Sequence, residues 1–348
     1  MEKQNVEKSR DLYLEELRIL VGHALGSSVV SIVPLEGGMN NLLHKINLED
    51  GRECVAKQYC QDNRPRLQRE YDVLSILSGK GFLEVPVPFV RFNDLRVGVY
   101  SFAEGRQIDS SDFSTHELDA IVIYLTRLQA VSPNEVAKEL LRAQSSAFSL
   151  KEVADLILER VRPFKDGKEE VVDPAIAEFI QETKVLSSVE VLLVQLEERF
   201  SGRFYQEIVS EDRRLSSVDS GPHNMLWNSD GKLTVLDFEY AGWDHPLREI
   251  GNFLAHSKMR GVSKQLKDYF VDRYLLQTTL PQHVTCDLEA FRMLSEIEWV
   301  MVNMSYLLPS RKARLQQLKG FDYDVDALLK QFMQEIRERI TTLSEKYL

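Results

Sequence analysis

The spacing of apolar residues changes along the chain and divides it into two kinds of segment. In residues 11–25 apolar side chains recur every three or four positions, which predicts an amphipathic helix that stops near Gly26. The period then shortens toward two, with many β-branched residues, which is typical of strands. The predicted strands are residues 28–35, 42–48 and 53–59. The pair Asp50–Gly51 favours a tight hairpin between the second and the third.

One helix and two further strands complete this part of the chain. Residues 63–81 return to helical spacing, with Leu67, Tyr71 and Leu74 on one face. Residues 86–92 and 96–105 are short, apolar and separated by a polar turn, as expected of paired strands. The region therefore predicts a small antiparallel sheet with one inserted helix.

Helical spacing dominates from Ser114 to the end of the chain. The predicted helices are residues 115–131, 149–162, 174–200, 263–277, 287–308 and 324–345. Two segments differ: the polar segment 132–148 predicts a loop, and residues 214–240 contain two apolar runs around an Asn-Ser-Asp-Gly turn, which predicts a second hairpin. We therefore predict an α+β fold with two lobes, residues 1–103 around the sheet and residues 104–348, mainly helical, with the second hairpin.

Composition and charge narrow the function classes. The chain has 348 residues and a formal net charge of −11, which argues against a nucleic-acid partner because such proteins need a basic surface. Its three cysteines are scattered, which excludes a disulfide framework and favours a reducing compartment. No run of about 20 apolar residues is present, and the N-terminus lacks a secretory apolar region. We expect a cytoplasmic protein without a membrane partner.

The second hairpin carries a group of oxygen-bearing side chains. Asp219 and Asn224 precede its first strand and Asp237 follows its second, so a hairpin would gather two carboxylates and one amide. Such ligands suit a hard cation such as Mg²⁺, and a third group could accept a proton from an attacking hydroxyl. The alternative is a hairpin with an ordinary polar connection, because Asp and Asn are common in turns.

The predicted sheet contains a second candidate group. Lys57 follows two apolar residues on a strand, and Glu70 lies on the next helix, where it could orient the lysine toward phosphate. The alternative is an outward-pointing strand lysine and a solvated helix glutamate. The turn 36–41, Glu-Gly-Gly-Met-Asn-Asn, includes Gly38 and Asn41 and could let its backbone approach a phosphate, or could be only a turn.

The order of these features is that of kinase-type phosphoryl transfer: glycine-rich turn, strand lysine, helix glutamate, then Asp, Asn and Asp. The chain resembles the aminoglycoside phosphotransferase and choline kinase-like family, a branch of the protein-kinase-like fold, over residues 33–255 and most strongly over 217–246. The resemblance implies ATP or GTP and Mg²⁺ as cofactors. It assigns roles as follows: Asp219 as the catalytic base, Asn224 and Asp237 as metal ligands, Lys57 on the phosphates, Glu70 holding Lys57, Gly38 and Asn41 in the phosphate turn, and the backbone of Ser101 and Ala103 at the adenine.

Three departures from the family pattern stand out. Ser217 takes the place of the usual histidine, as in a bacterial branch with Ser-x-Asp-x-Gly-x-His-Asn. The Gly-x-Gly-x-x-Gly loop of protein kinases is absent. An acid that the family often carries appears as Glu249, three residues after Pro246, with an open effect on the helix start.

The resulting hypothesis is an ATP- and Mg²⁺-dependent phosphotransferase that acts on a hydroxyl of a small molecule such as an amino alcohol, an aminoglycoside or a sugar. The alternatives are a catalytically silent nucleotide-binding pseudokinase and a protein kinase; no Ala-Pro-Glu segment supports the latter. Trp299 and Tyr306, with Glu296 or Glu298, form an acceptor wall or ordinary helix core. His223 is a loop residue or a substrate contact. Glu239 lies near the metal or on a strand surface.

Overall fold

The computed structural model describes residues 2–35, 41–136, 140–166, 173–319 and 324–348. The chain divides into two compact units, the first made of Met1–Gln107 with Asn224–Tyr240 and the second of Ile108–His223 with Ala241–Leu348. The predicted phosphate turn, including Gly38, lies outside the described residues. In the described part of the chain, no helix combines the length and apolar character needed to cross a membrane.

The secondary structure comprises strands and helices with the following bounds. The strands are β1 (Val29–Leu35), β2 (Leu42–Leu48), β3 (Glu53–Gln58), β4 (Pro88–Phe92), β5 (Val97–Ser101), β6 (Arg214–Ser216), β7 (Met225–Trp227), β8 (Leu233–Val235) and β9 (Gly242–Asp244). The helices are α1 (Glu2–Leu25), α2 (Arg66–Gly79), α3 (Thr115–Ala130), α4 (Leu150–Lys165), α5 (Pro174–Thr183), α6 (Val185–Arg199), α7 (Ser201–Phe204), α8 (Pro246–Ala255), α9 (Lys264–Gln277), α10 (Gln282–Thr285), α11 (Leu288–Ser305), α12 (Pro309–Lys319) and α13 (Val325–Tyr347).

The first unit is built on a five-stranded antiparallel sheet with the order β1-β2-β3-β5-β4. Helix α1 covers one face, where Leu17 and Val21 are fully buried against Ile46 and Cys54. Because side chains alternate along a strand, Ala56 of β3 faces this core and its neighbour Lys57 faces the opposite side. The core of the sheet therefore fixes the direction of the lysine.

The hairpin β7–β8 belongs to the same unit. Its strands pair antiparallel from Met225 opposite Val235 to Trp227 opposite Leu233. The Val235 N–H donates to the carbonyl of Glu84, and Arg106 and Trp227 exchange backbone hydrogen bonds of 3.0 and 2.9 Å. These bonds fix the position of both ends of the hairpin.

The second unit is mainly helical. Helix α11 lies at its centre and contacts α4, α8 and α13, burying Phe291, Leu294 and Ile297 completely or nearly so. The short strands β6 and β9 pair antiparallel beside α8. Helix α8 therefore packs against both the central helix and the ladder that precedes the segment 217–223.

The predicted α+β fold is confirmed, with local differences. The predicted helix at 174–200 is two helices, α5 and α6, because Lys184 adopts a left-handed conformation with φ 50°. Helix α12 and the β6–β9 ladder were not predicted. Residues 140–148 are irregular, as predicted for a loop, but the Ala147 N–H donates to Asp244 Oδ1 at 2.9 Å. The lobe boundaries 1–103 and 104–348 stay a prediction.

Candidate active site

Lys57 lies at the centre of a group of charges in the first unit. Its side chain is buried, and Nζ donates to Glu70 Oε2 and to Asp237 Oδ1, each at 2.7 Å. Burial lowers the pKa of Lys57, but the carboxylates of Asp237, Glu70 and Glu239 together raise it above its ordinary value. The lysine is therefore a fixed cation, and the alternative of a solvated strand lysine is wrong.

Glu70 is held in place by two tyrosines as well as by Lys57. The Tyr59 hydroxyl donates to Glu70 Oε2 at 2.7 Å. Because that donation uses its one proton, the Tyr100 hydroxyl 2.8 Å away must donate to Tyr59. Burial raises the pKa of Glu70, while Lys57 acts in the opposite direction. Helix α2 thus presents a buried carboxylate that two hydrogen bonds hold in place.

Asn224 and Asp237 are neighbours at the open end of the β7–β8 hairpin. The Leu236 N–H donates to the Asn224 carbonyl at 2.8 Å, which continues the ladder by one step. Asp237 follows with φ 65°, a left-handed conformation that turns its carboxylate out of the strand direction. One carboxylate and one amide in such a position fit the oxygen ligands that Mg²⁺ prefers. The donor set is therefore compatible with the expected cation.

Glu239 is buried and connects three segments of the first unit. One oxygen accepts from Arg66 at the start of α2, and the other accepts from Asn41 Nδ2 at 2.7 Å. Arg66 also binds Asp62 at 2.9 Å. Asn41 is the last residue of the sequence segment 36–41, so Glu239 connects this residue to the segment after β8 that carries Asp237. The possibility of a strand-surface glutamate is wrong.

The two residues expected at the adenine differ in what they offer. The Ser101 N–H donates to the Val87 carbonyl at 2.8 Å, and the Ser101 hydroxyl accepts from the Val87 N–H at 2.9 Å. Among the described residues, the backbone groups of Ala103 make no hydrogen bond. Ala103 therefore offers a donor and an acceptor to a ligand, whereas the N–H of Ser101 is already used.

In the second unit, the segment before Asp219 is held by Glu249. The Ser217 N–H and hydroxyl both donate to Glu249 Oε1, the former at 3.1 Å. Glu249 lies on α8 and is 1% exposed, and burial raises its pKa to about 7. The next residue, Val218, has φ 70°, a strained conformation for a β-branched side chain. The serine and the distant glutamate thus fix this loop together.

Asp219 lies beside two histidines of the same unit. His223 Nε2 is 3.4 Å from Asp219 Oδ2, and the His223 ring stacks on His256 with centroids 4.8 Å apart. The rings of Trp299 and His256 are nearly perpendicular, with centroids 4.6 Å apart. His256 is 7% exposed, and burial, followed by the effect of His223, lowers its pKa to about 3. The imidazole of His256 is therefore neutral at physiological pH.

Asp219, His223 and His256 each bring a ligand atom within 4.8 Å of the others, but the hydrogen bonding of His256 makes this residue a donor rather than a metal ligand. His256 Nδ1 accepts from the Lys258 N–H at 3.1 Å. A neutral imidazole carries one proton, so Nε2 bears it and has no lone pair for a metal. His256 thus adds a neutral N–H donor beside the Asp219 carboxylate and His223.

The structure gives the candidate residues of the acceptor wall different contacts. Trp299 contacts His256, as described, whereas Tyr306 stacks on Phe332 with centroids 4.9 Å apart. Glu298 is buried and binds Arg248 at 3.0 Å, and Glu296 binds Arg339. Both glutamates are thus neutralised by arginines, and neither provides an uncommitted charge for a cationic ligand.

Comparison with known protein families shows which family the chain belongs to. A model described as the phosphotransferase enzyme family matches residues 31–283. The chain belongs to this family. The resemblance inferred from the sequence is thereby confirmed, and the protein is a small-molecule phosphotransferase. A search of curated protein sequences found no match.

Three solved structures illustrate the fold of this phosphotransferase. The AMP-bound spectinomycin phosphotransferase APH(9)-Ia aligns over 94% of this chain and 98% of its own, with a TM-score of 0.64 and 13% identity. Choline kinase LicA from Streptococcus pneumoniae aligns over 94% and 99%, with a TM-score of 0.59 and 17% identity. Amicoumacin kinase hAmiN, in complex with AMP-PNP, Ca²⁺ and Ami, aligns over 95% and 96%, with a TM-score of 0.58 and 15% identity. At these identities the similarity shows a shared fold.

Sequence reasoning missed Arg66 and His256. Arg66 directly follows Pro65 at the start of a predicted helix, where an arginine is ordinarily solvated. His256 lies just after α8 and belongs to no motif. Only the type of side chain could have indicated these two residues, since both are potential hydrogen-bond donors close in sequence to the predicted site segments.

Proposed function

We propose that the phosphotransferase moves the γ-phosphoryl group of ATP or GTP to a hydroxyl of a small molecule, with Mg²⁺ as cofactor. The observation that carries this proposal is the position of Lys57 between Glu70 and Asp237, each 2.7 Å from its ammonium group. A buried cation held by two carboxylates is arranged to meet phosphate charge without reorganising.

Lys57 and Ala103 are the nucleotide contacts of the first unit in this proposal. The ammonium group binds phosphate oxygens while Glu70 keeps it in place, and the uncommitted backbone groups of Ala103 bind the base. Asn224 and Asp237 hold Mg²⁺, which neutralises phosphate charge when bound. Solved neighbours with AMP and AMP-PNP support the choice of a nucleotide.

Asp219 is the proposed catalytic base of the second unit. It orients the acceptor hydroxyl and takes its proton, a role in which hydrogen-bond geometry matters more than a raised pKa. The strained Val218 and the Ser217–Glu249 contact fix the backbone that carries it. Holding the acceptor oxygen in line with the phosphorus lowers the barrier by making the attack effectively unimolecular.

His256 and Trp299 are the proposed acceptor contacts. The Nε2–H of His256 donates a hydrogen bond to an oxygen of the acceptor, and the indole of Trp299 offers an apolar face beside it. These groups suit a hydroxylated molecule, and the solved neighbours include kinases of choline and of antibiotics. We therefore place the acceptor among amino alcohols, aminoglycosides and related sugars.

A screen of ADP or GDP release with Mg²⁺ across hydroxylated compounds tests this function. Lys57→Met should lower kcat/KM for the nucleotide at least 100-fold, because the main protein cation at the phosphates is lost. Lys45→Met is the matched control, since Lys45 lies on the neighbouring strand and pairs with Glu53. Nucleotide binding without transfer to any acceptor would instead support a pseudokinase. Absence of nucleotide binding would overturn the proposal.

A further inference from the structure

A cavity of about 890 Å³ lies in the second unit, and none of the residues assigned above to the transfer reaction lines it. Its walls come from helices α8, α9, α11 and α13. Gly251, Leu254 and Met293 are buried in the second unit and contribute apolar surface to the lining. This volume is in the range of pockets that bind small organic ligands, which typically measure about 300–1,000 Å³.

Basic side chains outnumber acidic ones in the lining, although the whole chain carries a net charge of −11. The three acidic residues are already paired: Glu289 with Arg199, Glu296 with Arg339, and Glu338 with Arg260. Among the described residues, Lys267 and Arg292 have no hydrogen bond or ion pair. Glu296, which pairs with Arg339, also acts on Lys267, and Asp268, which pairs with Lys264, also acts on Arg292. Each of the two cations therefore shares a carboxylate with another cation, and the lining keeps an excess of positive charge.

These two cations are only partly exposed. Burial lowers the pKa of Lys267, the carboxylate of Glu296 acts in the opposite direction, and the guanidinium groups of Arg339, Arg260 and Arg292 lower the pKa further. Keeping like charges together in a partly desolvated place costs free energy unless an anion compensates them. Exposed Lys346 adds a further positive charge at the rim.

We propose that this cavity is a second ligand site, which binds a small organic dianion of the phosphomonoester class through Lys267 and Arg292. The lining has five basic and three acidic side chains, and this excess of two positive charges matches the charge of a phosphomonoester at neutral pH. A guanidinium group forms paired hydrogen bonds to phosphate oxygens. The apolar lining receives the organic part of the ligand. The site is independent of the transfer reaction proposed above.

The cavity wall also contacts the segment that carries His256. Arg339, which lines the cavity, donates to the Ala255 carbonyl at 2.6 Å. Its neighbour Glu335 accepts from the Ser257 hydroxyl at 2.7 Å. The residues on both sides of His256 are thus held by α13. A ligand in the cavity binds next to the contacts that position this histidine.

Calorimetric titration with glycerol 3-phosphate and, separately, with inorganic phosphate tests the site. The titrations use the full chain with the Lys57→Met substitution, without nucleotide, in EDTA and at constant ionic strength, so that the proposed nucleotide site does not contribute. We expect saturable binding of one glycerol 3-phosphate per chain. Inorganic phosphate should bind more weakly, because it leaves the apolar lining unfilled.

Adding Lys267→Met and Arg292→Leu should weaken binding at least tenfold. Lys264→Met is the matched control, because Lys264 lies on the same helix with its side chain 87% exposed and should leave affinity unchanged. Should the double substitution unfold the chain, Arg292→Leu alone should still weaken binding severalfold. Absence of saturable binding, or an equal loss with Lys264→Met, would show non-specific charge attraction only and overturn the proposal.

Discussion

The charge cluster of the first unit and the loop around Asp219 in the second unit are built on different principles. Around Lys57, buried carboxylates and cations face one another directly, and Glu70 and Glu239 each serve more than one partner. Beside Asp219, His223 stacks on the neutral imidazole of His256, which in turn contacts the Trp299 indole, and the backbone before Asp219 is strained. The first arrangement suits the binding of a highly charged phosphate, and the second suits the alignment of a neutral hydroxyl.

The largest expected effect comes from replacing the proposed base, and it tests whether the two regions have different functions. Asp219→Asn should lower kcat by about 10²–10⁴-fold, the usual contribution of a general base, and leave the Kd of the nucleotide nearly unchanged. Pre-steady-state transfer and equilibrium nucleotide binding measure the two quantities. Asn preserves the shape of the side chain while it removes the charge that accepts the proton.

Asp237→Asn is the matched substitution in the other region. It should weaken Mg²⁺-dependent nucleotide binding, because the proposed metal loses its one carboxylate ligand from the hairpin. Binding of the nucleotide in EDTA should change much less. If both substitutions altered nucleotide affinity equally and spared the transfer step, the division of roles between the two regions would be wrong.

The sequence could predict most of the charge cluster because local patterns carry it. Strand alternation indicates where Lys57 lies, helical spacing places Glu70, and the order of these residues resembles a known family. The contacts of Glu239 could not be predicted, since its partner Arg66 is 173 residues away and no spacing rule joins them. Likewise, neither the pairing of Ser217 with Glu249 nor the stack of His223 on His256 leaves a periodic signal.

The pH dependence of stability offers a second, smaller test of the loop region. The pKa of Glu249 is raised from an ordinary value of 4.5 to about 7 by burial, so the folded state holds its proton more tightly than the unfolded state. Stability contributed by the protonated acid is therefore lost as pH rises from about 4.5 to 7. The full loss is about 3 kcal/mol, because a tenfold difference in proton affinity between the folded and unfolded states corresponds to about 1.4 kcal/mol.

Glu249→Gln should remove this loss, because an amide keeps an acceptor for Ser217 and does not ionise. Urea unfolding between pH 4.5 and 7.5 should show the variant gaining stability relative to the wild type as pH rises. His256, whose lowered pKa makes stability increase with pH below about 6.5, is present in both chains and cancels in the comparison. Glu345→Gln, on the exposed end of α13, is the control. Parallel pH profiles for wild type and Glu249→Gln would contradict the assignment.

The smallest expected effect concerns the strain at Val218. A β-branched residue at φ 70° costs about 1–3 kcal/mol, and Val218→Gly removes that cost while increasing the entropy of the unfolded chain by a comparable amount. The free energy of unfolding should therefore change by less than about 1 kcal/mol. The catalytic rate should nevertheless fall about tenfold, because Asp219 is attached to a backbone that no longer has one preferred direction.

Val218→Ala separates strain from packing, because alanine keeps the restriction against the left-handed region but loses the branched side chain. It should retain most of the rate and lose more stability than Val218→Gly. Urea unfolding and kcat, measured on the same preparations, give both quantities. If glycine destabilised the protein more than alanine, or left kcat unchanged, the strained residue would have no part in orienting Asp219. The position of Asp219 would then depend on the Ser217–Glu249 contact alone. The loop would differ from the charge cluster only in being held by one buried hydrogen-bonded pair.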